Sequence, residues 1–267
     1  MQQTVAIVIP IYKESLSDTE ILSLKQCIKI LGSYPVVFTA PQHLNFSIYA
    51  AYCNDISYSI LRFDDEYFAD INGYNKLMLS AGFYKKLIQY KFILIYQLDA
   101  FVFKDELLYW CGQNYDFIGA PHPPHAKANG DMQFLKGYKS FLKVVKSVFN
   151  INHQISNVGN GGFSLRKTKT FYRLLQLLNS KISNWGNNNE DGFFKYWGNI
   201  LYPLVKLPDD ATALRFSVET SPRQSLQKLN YALPFGCHAF EKYDWQTWEP
   251  YIMPQQADDK SHSIFSN

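Results

Sequence analysis

Residues 92–103 read FILIYQLDAFVF, one carboxylate, Asp99, set in an otherwise apolar and aromatic run. Ile, Phe and Tyr gathered over so short a span predict a strand buried on both faces, as in an α/β sheet. An unpaired carboxylate is costly there, so Asp99 is expected at the strand end, holding a cation or a hydrogen-bond donor. Ligand sites of open α/β sheets lie at the carboxyl ends of strands, which is where this residue falls. A carboxylate that caps a turn, or one paired with a buried arginine, explains the same pattern without a ligand.

Upstream, residues 5–11 form a candidate strand that Pro10 and the polar Lys13-Glu14-Ser15 bring to an end. Ser17-Asp18 reads as a cap for a helix over 19–31, where apolar residues recur at helical spacing. Strands are expected at 36–39, closed by Pro41, and at 57–63, and a helix at 74–90 leads into the Asp99 strand. Strands alternating with helices predict βαβ units and a mostly parallel sheet flanked by helices. Downstream the pattern loosens: 116–120 reads as a short strand, and Pro121-His122-Pro123-Pro124-His125 breaks regular structure.

A chain of 267 residues fits one α/β domain. Its formal charge of +3, with no basic tail, gives no argument for nucleic acid as a partner. Cys27, Cys53, Cys111 and Cys237 are scattered without a CxxC pair, so neither a zinc knuckle nor a disulfide framework is suggested. A cytoplasmic location is expected on that ground. The start, MQQTVAIVIP, has no charged n-region or long apolar h-region, and no apolar stretch is long enough for a bilayer.

Lys136, Lys139, Lys143 and Lys146 fall along one helix face, with Leu135, Tyr138, Leu142, Val145 and Phe149 on another. Such a basic amphipathic helix suits an anionic membrane surface. An ordinary surface helix with a solvated lysine face accounts for the same spacing and is preferred.

Three later signals carry chemistry. Val158-Gly159-Asn160-Gly161-Gly162-Phe163-Ser164-Leu165-Arg166 is a glycine-rich turn running into a strand, where backbone can approach a ligand closely. It lacks the spacing of a phosphate loop. Asn187-Asn188-Asn189-Glu190-Asp191 precedes Gly192-Phe193-Phe194, and these polar residues could simply cap a helix over 192–197. Two adjacent carboxylates, however, repel each other, and crowding near a pocket raises a pKa toward base duty. Finally, Pro234-Phe235-Gly236-Cys237-His238 offers an imidazole, which with Asp99 makes a normal pair of Mn²⁺ or Mg²⁺ ligands.

In order, AIVIPIYKE, YQLDAFVF, VGNGGFSLR, NNNEDGFF and PFGCHAFEKY resemble the landmarks of a GT-A-fold glycosyltransferase. More narrowly, they resemble a largely uncharacterised bacterial group of glycosyltransferase-like proteins carrying the strings QLDAFVF and GNGGFSLR. The likeness spans residues 5–243. It implies a single GT-A (Rossmann-like) domain over 1–254, with a nucleotide-binding half at 1–110 and an acceptor half at 111–254, followed by a polar tail at 255–267.

The resemblance also implies roles. Asp99 falls where GT-A enzymes place the last carboxylate of the DxD motif, which holds the metal on the donor diphosphate. Gln97 stands at the first position, able to hydrogen-bond but not to supply charge, which puts dependence on Mn²⁺ or Mg²⁺ in question. His238 resembles the late histidine that completes the metal site. Pro10, Ile11, Tyr12 and Glu14 match the segment that cradles base and ribose. Gly161 and Gly162 would let donor and acceptor approach, and Asp191, with Glu190 beside it, resembles the pair whose carboxylate deprotonates the acceptor hydroxyl. The implied activity is inverting transfer from a nucleotide sugar, a UDP-sugar by preference, to a glycan or lipid-linked glycan. The implied setting is bacterial surface polysaccharide assembly, with peripheral association at the inner membrane. A sugar nucleotidyltransferase would want a glycine loop after the first strand, a metal hydrolase more clustered ligands. A degenerate, carbohydrate-binding GT-A protein is kept alive by Gln97.

Overall fold

A computed structural model of the chain describes residues 2–122, 144–150, 157–186, 189–199 and 203–253. The first strand, β1 (Gln3–Pro10), is buried from Val5 onward. It pairs in parallel with β2 (Val36–Pro41) on one side and β4 (Tyr90–Tyr96) on the other, Ile7 lying opposite Val36 and Leu94. β3 (Tyr58–Phe63) extends the parallel set beyond β2. β7 (Phe163–Lys167) then joins β4 antiparallel, and β6 (Phe117–Ile118) joins β7, giving the order β3-β2-β1-β4-β7-β6. The expected mostly parallel sheet is therefore present, with an antiparallel margin.

Side chains alternate across a strand, and both faces of this one are covered. Val5, Ile7, Ile9, Phe92 and Leu94 pack with Leu24, Cys27 and Leu31 of the helix Asp18–Leu31. Ala6, Val8, Ile93 and Ile95 pack on the opposite face with Leu77, Phe83, Phe171 and Phe194. Each such side chain contributes roughly 1.5–3 kcal/mol on leaving water. The helix Asp18–Leu31 starts with a capping box: Ser17 accepts from Glu20 N, and the Glu20 carboxylate accepts from Ser17 N.

Several expectations are corrected. The run 92–103 is not one strand. It bends at Gln97-Leu98-Asp99, where Ala100 N donates to Gln97 O at 2.9 Å, and resumes as β5 (Ala100–Val102) in a second sheet. That sheet has the order β5-β9-β8, built with β8 (Ser217–Val218) and β9 (Gly236–His238). A sheet covered on both faces has no place for Gln97 and Asp99, so the chain leaves it there. The Ala100 carbonyl at the bend accepts from the Ser23 hydroxyl at 2.6 Å and the Tyr96 hydroxyl at 3.1 Å.

The helix expected over 74–90 is two, Ile71–Met78 and Ala81–Lys86. Asp70 caps the first by accepting from Gly73 N, and Ser80 takes extended dihedrals (φ −88°, ψ 120°) that break the run. The break lets Met78, Leu79, Phe83 and Tyr84 all be buried. The strand expected over 116–120 shortens to β6, because the Asp116 carboxylate turns to Thr170 Oγ1 and Lys206 N.

All four cysteines are free and buried. Among the described residues no helix is long and apolar enough to cross a membrane. Lys136, Lys139 and Lys143 of the lysine face lie outside the described residues, as do Asn187, Asn188 and the tail 255–267.

Candidate active site

The carboxyl ends of β1 and β4 open into a cavity of about 370 Å³. Pro10, Ile11 and Tyr12 line it from β1, and Gln97 and Asp99 from the bend after β4. Tyr49, Tyr67, Phe68 and Tyr74 add aromatic walls, which suits a planar ligand. Glu14 faces an adjoining hollow of about 410 Å³ that shares Tyr12 and Lys13 with the first. Its carboxylate accepts from Asn45 N at 3.0 Å.

β5 and β9 run antiparallel with Ala100 opposite His238, which brings the imidazole to the bend. His238 Nε2 is 3.1 Å from Asp99 Oδ1 and 3.0 Å from Gln97 Oε1. Its Nδ1 is 3.3 Å from Glu219 Oε1. Burial works against the imidazolium, but Asp99 and Glu219 outweigh it and push His238 up to about 10. Burial likewise opposes the Asp99 carboxylate, and His238 more than offsets it, lowering the pKa. Asp99 Oδ1 is buried yet makes no well-aligned hydrogen bond. Among the described residues no three His, Cys, Asp or Glu side chains group as a metal cage.

The glycine string runs past this cluster to a second one. Gln97 N donates to Gly162 O at 2.9 Å, locking the bend to the string. A Cβ on Gly162 would overlap His238 Nε2 and Gln97 Oε1. A Cβ on Gly159 would overlap His122 Nε2 and crowd Asp191 Oδ2. Asn160 between them sits in the left-handed region (φ 65°), and its side chain accepts from Gly162 N. A Cβ on Gly161 would overlap Glu190 Oε1 beside Arg166.

Glu190 and Asp191 open the helix Glu190–Trp197, so both lie inside its first turn and not before it. Their expected mutual repulsion is divided between two partners. Arg166, 0% exposed, donates to Glu190 Oε1 at 2.7 Å, and also to the Tyr84 hydroxyl and Gly161 O. Burial raises the Glu190 pKa against the pull of that guanidinium. Asp191 instead accepts from Asn160 N at 2.7 Å and Gly192 N at 2.8 Å, and its Oδ2 lies 2.9 Å from His122 Nε2. Burial favours its neutral form, yet His122 and the two amides prevail and hold it at about 2. The two carboxyls thus move apart, and Asp191 moves away from the base-like value expected of it.

His122, Arg166 and Glu219 were not singled out as site residues from the sequence. His122 lies in a Pro-His-Pro-Pro-His stretch read as a breaker. A bridge between Pro121 and Val158, and the His122 N to Asn157 O bond, seat it beside the string. Arg166 was legible as an arginine in an apolar strand, a sign of a buried partner; Glu219 carries no local signal.

The parallel β3-β2-β1-β4 core with an antiparallel margin, and a cavity at the carboxyl ends of β1 and β4, make an α/β fold also seen in glycosyltransferases. Solved structures share it. Core-mannan synthase A from Aspergillus fumigatus, in its Mn/GDP form, is 12% identical, with 79% of this chain and 72% of that chain covered and a TM-score of 0.52. The glycosyltransferase GlyE of Streptococcus pneumoniae, in its apo form, is 10% identical, with 94% of this chain and 60% of that one covered and a TM-score of 0.51. Residues 57–238 match the family described as "Protein of unknown function (DUF5672)", and the chain belongs to that family. No curated protein sequence matches the chain significantly.

Proposed function

We propose that the protein is an inverting glycosyltransferase that moves a hexose-type sugar from a nucleotide sugar, a UDP-sugar by preference, to a hydroxyl of a glycan or lipid-linked glycan. One observation carries this reading: four residues, Gly159 to Gly162, touch the Asp99–His238 cluster at one end and the Asp191 cluster at the other. Donor and acceptor groups at those ends would meet over the string. The fold neighbour in its Mn/GDP form supports a nucleotide and a divalent cation as ligands.

The residues fit a cation, since Asp99 Oδ1 is buried and without an aligned partner, 3.1 Å from an imidazole nitrogen. Asp99 and His238 would hold Mn²⁺ or Mg²⁺, which when bound offsets the charge growing on the departing diphosphate. Glu219 orients the imidazole through Nδ1. Tyr12, with Pro10 and Ile11, walls the base and ribose space, and Gln97 offers a neutral amide to it. A cytoplasmic location, a place in bacterial surface polysaccharide assembly, and peripheral contact with the inner membrane belong to the same proposal.

Thermal melting with UDP, GDP, CMP and dTDP sugars, each with and without Mn²⁺, tests it. One nucleotide family should stabilise the wild type, more so with Mn²⁺, and Asp99→Ala should abolish the metal increment. Stabilisation unaltered by that substitution would remove Asp99 as a ligand. Gln97, neutral where a carboxylate would stand, favours a second reading, a GT-A-like carbohydrate-binding protein. Its signature is sugar binding without release of nucleotide.

A further inference from the structure

Three donors already occupy most of the roughly four lone-pair sites of the Asp191 carboxylate, which leaves little for an acceptor hydroxyl. Its Oδ1 accepts from Gly192 N, its Oδ2 from Asn160 N, and His122 Nε2 meets the same Oδ2. The Asp191 side chain is 7% exposed, whereas the His122 side chain is 31% exposed. Resting on the transferase reading, we propose that His122 Nδ1 takes the acceptor proton, with Asp191 as the residue that positions the imidazole.

The geometry fixes the tautomer. A carboxylate facing Nε2 makes that nitrogen the donor, which leaves the lone pair on Nδ1. No described residue bonds Nδ1. The bridge at Pro121 and the Gly159 backbone close the ring in from the string side. In the step, the acceptor oxygen forms a bond to the anomeric carbon while the bond from that carbon to the diphosphate oxygen breaks. The bonding pair leaves on the diphosphate, and the hydroxyl proton moves to Nδ1. The resulting imidazolium is paired with Asp191, so charge is conserved across donor, acceptor and dyad.

Among the described residues, three charged groups face His122. Asp191 and Glu219 raise its pKa above the ordinary value of 6.5, the Asp191 hydrogen bond being the largest influence; Lys195, one turn beyond Asp191, acts in the opposite sense. A base of this kind works in its neutral form, so turnover should rise with pH through a value above 6.5. A carboxylate base held near 2 would show no such limb.

The test measures nucleotide release from UDP-glucose, UDP-galactose, UDP-N-acetylglucosamine and GDP-mannose between pH 5 and pH 9, as those pH values and donors are the probes. His122→Asn should lose the limb and about 10²–10⁴ in kcat with the donor KM kept. Asp191→Asn should retain a limb, moved to lower pH, at reduced kcat. Wild-type release that His122→Asn leaves within a fewfold, with the limb intact, would overturn the dyad alone. No release from any donor by the wild type would overturn the transferase reading and the dyad with it. Nitrogen-15 NMR of His122 in the wild type gives a readout that needs neither turnover nor a folded variant. A protonated Nε2 and bare Nδ1 are expected, and the opposite tautomer would sink the proposal.

Discussion

The two ends of the glycine string treat a carboxylate in opposite ways. At Gly162, Asp99 faces an imidazole and keeps one oxygen without an aligned hydrogen bond, and its side chain is half exposed. At Gly159, Asp191 is nearly buried and its oxygens are taken by backbone amides and His122. The first arrangement leaves a buried carboxylate oxygen without an aligned donor, which is where the proposed cation would bind. The second is complete and passes its basicity to a neighbour. Between them Glu190 serves neither end, since Arg166 claims it. Which carboxylate does chemistry is therefore decided by who else donates to it.

The largest expected effect comes from removing the strut between the ends. Arg166→Met leaves Glu190 as an uncompensated buried charge, a loss of about 3–5 kcal/mol. A guanidinium midpoint that hardly moves would show that the pair does not hold the string. Next come the glycines themselves. Gly162→Ala should push His238 and Gln97 aside and weaken Mn²⁺-dependent nucleotide binding by about tenfold, roughly 1.4 kcal/mol. Gly159→Ala should leave that binding alone and depress turnover. Calorimetric titrations in which both variants bind equally poorly would erase the distinction between the ends.

A smaller effect is carried by pH. The raised His122 pKa stabilises the fold fully below its unfolded value near 6.5, and this is lost as pH rises through the folded value. The depressed Asp191 pKa contributes above its unfolded value near 3.9 and is lost as pH falls toward about 2. The stability gap between wild type and His122→Gln should thus be widest at roughly pH 4–6.5 and narrow above it. Urea midpoints at pH 5.5 and pH 8.5 that differ by the same amount between the two proteins would contradict the pairing. The smallest change is Tyr12→Ala. Tyr12 is 59% exposed and lines the cavity beside β1, so the proposed nucleotide affinity should drop by about tenfold or less with melting temperature unchanged.

Much of this was legible from residue order. Apolar runs at 5–11, 36–39, 57–63 and the first half of 92–103 named the parallel strands, because strands covered on both faces leave little alternative. Asp99, His238 and the glycines could be picked out as polar or small residues in apolar settings, and the structure gathers them. The bend at Gln97 was missed because an unbroken apolar run conceals which sheet each half joins. The break at Ser80 was missed because helical spacing continues through it. His122 and Glu219 escaped since an isolated bridge and strand pairing bring them to their partners, which no local pattern encodes; Arg166 shows only that a partner exists, not which one.

The bond from Gln97 N to Gly162 O, and the meeting of Gln97 with His238 across 141 residues, have a consequence in time. The aromatic hollow is lined from residues 10–99, so forming it closes shorter loops than bringing in the imidazole does. The imidazole arrives only with β9, after long loops have closed at an entropic cost. A folding chain should therefore form the aromatic hollow before the imidazole reaches Asp99. Completion of β9 is the event that arms the site.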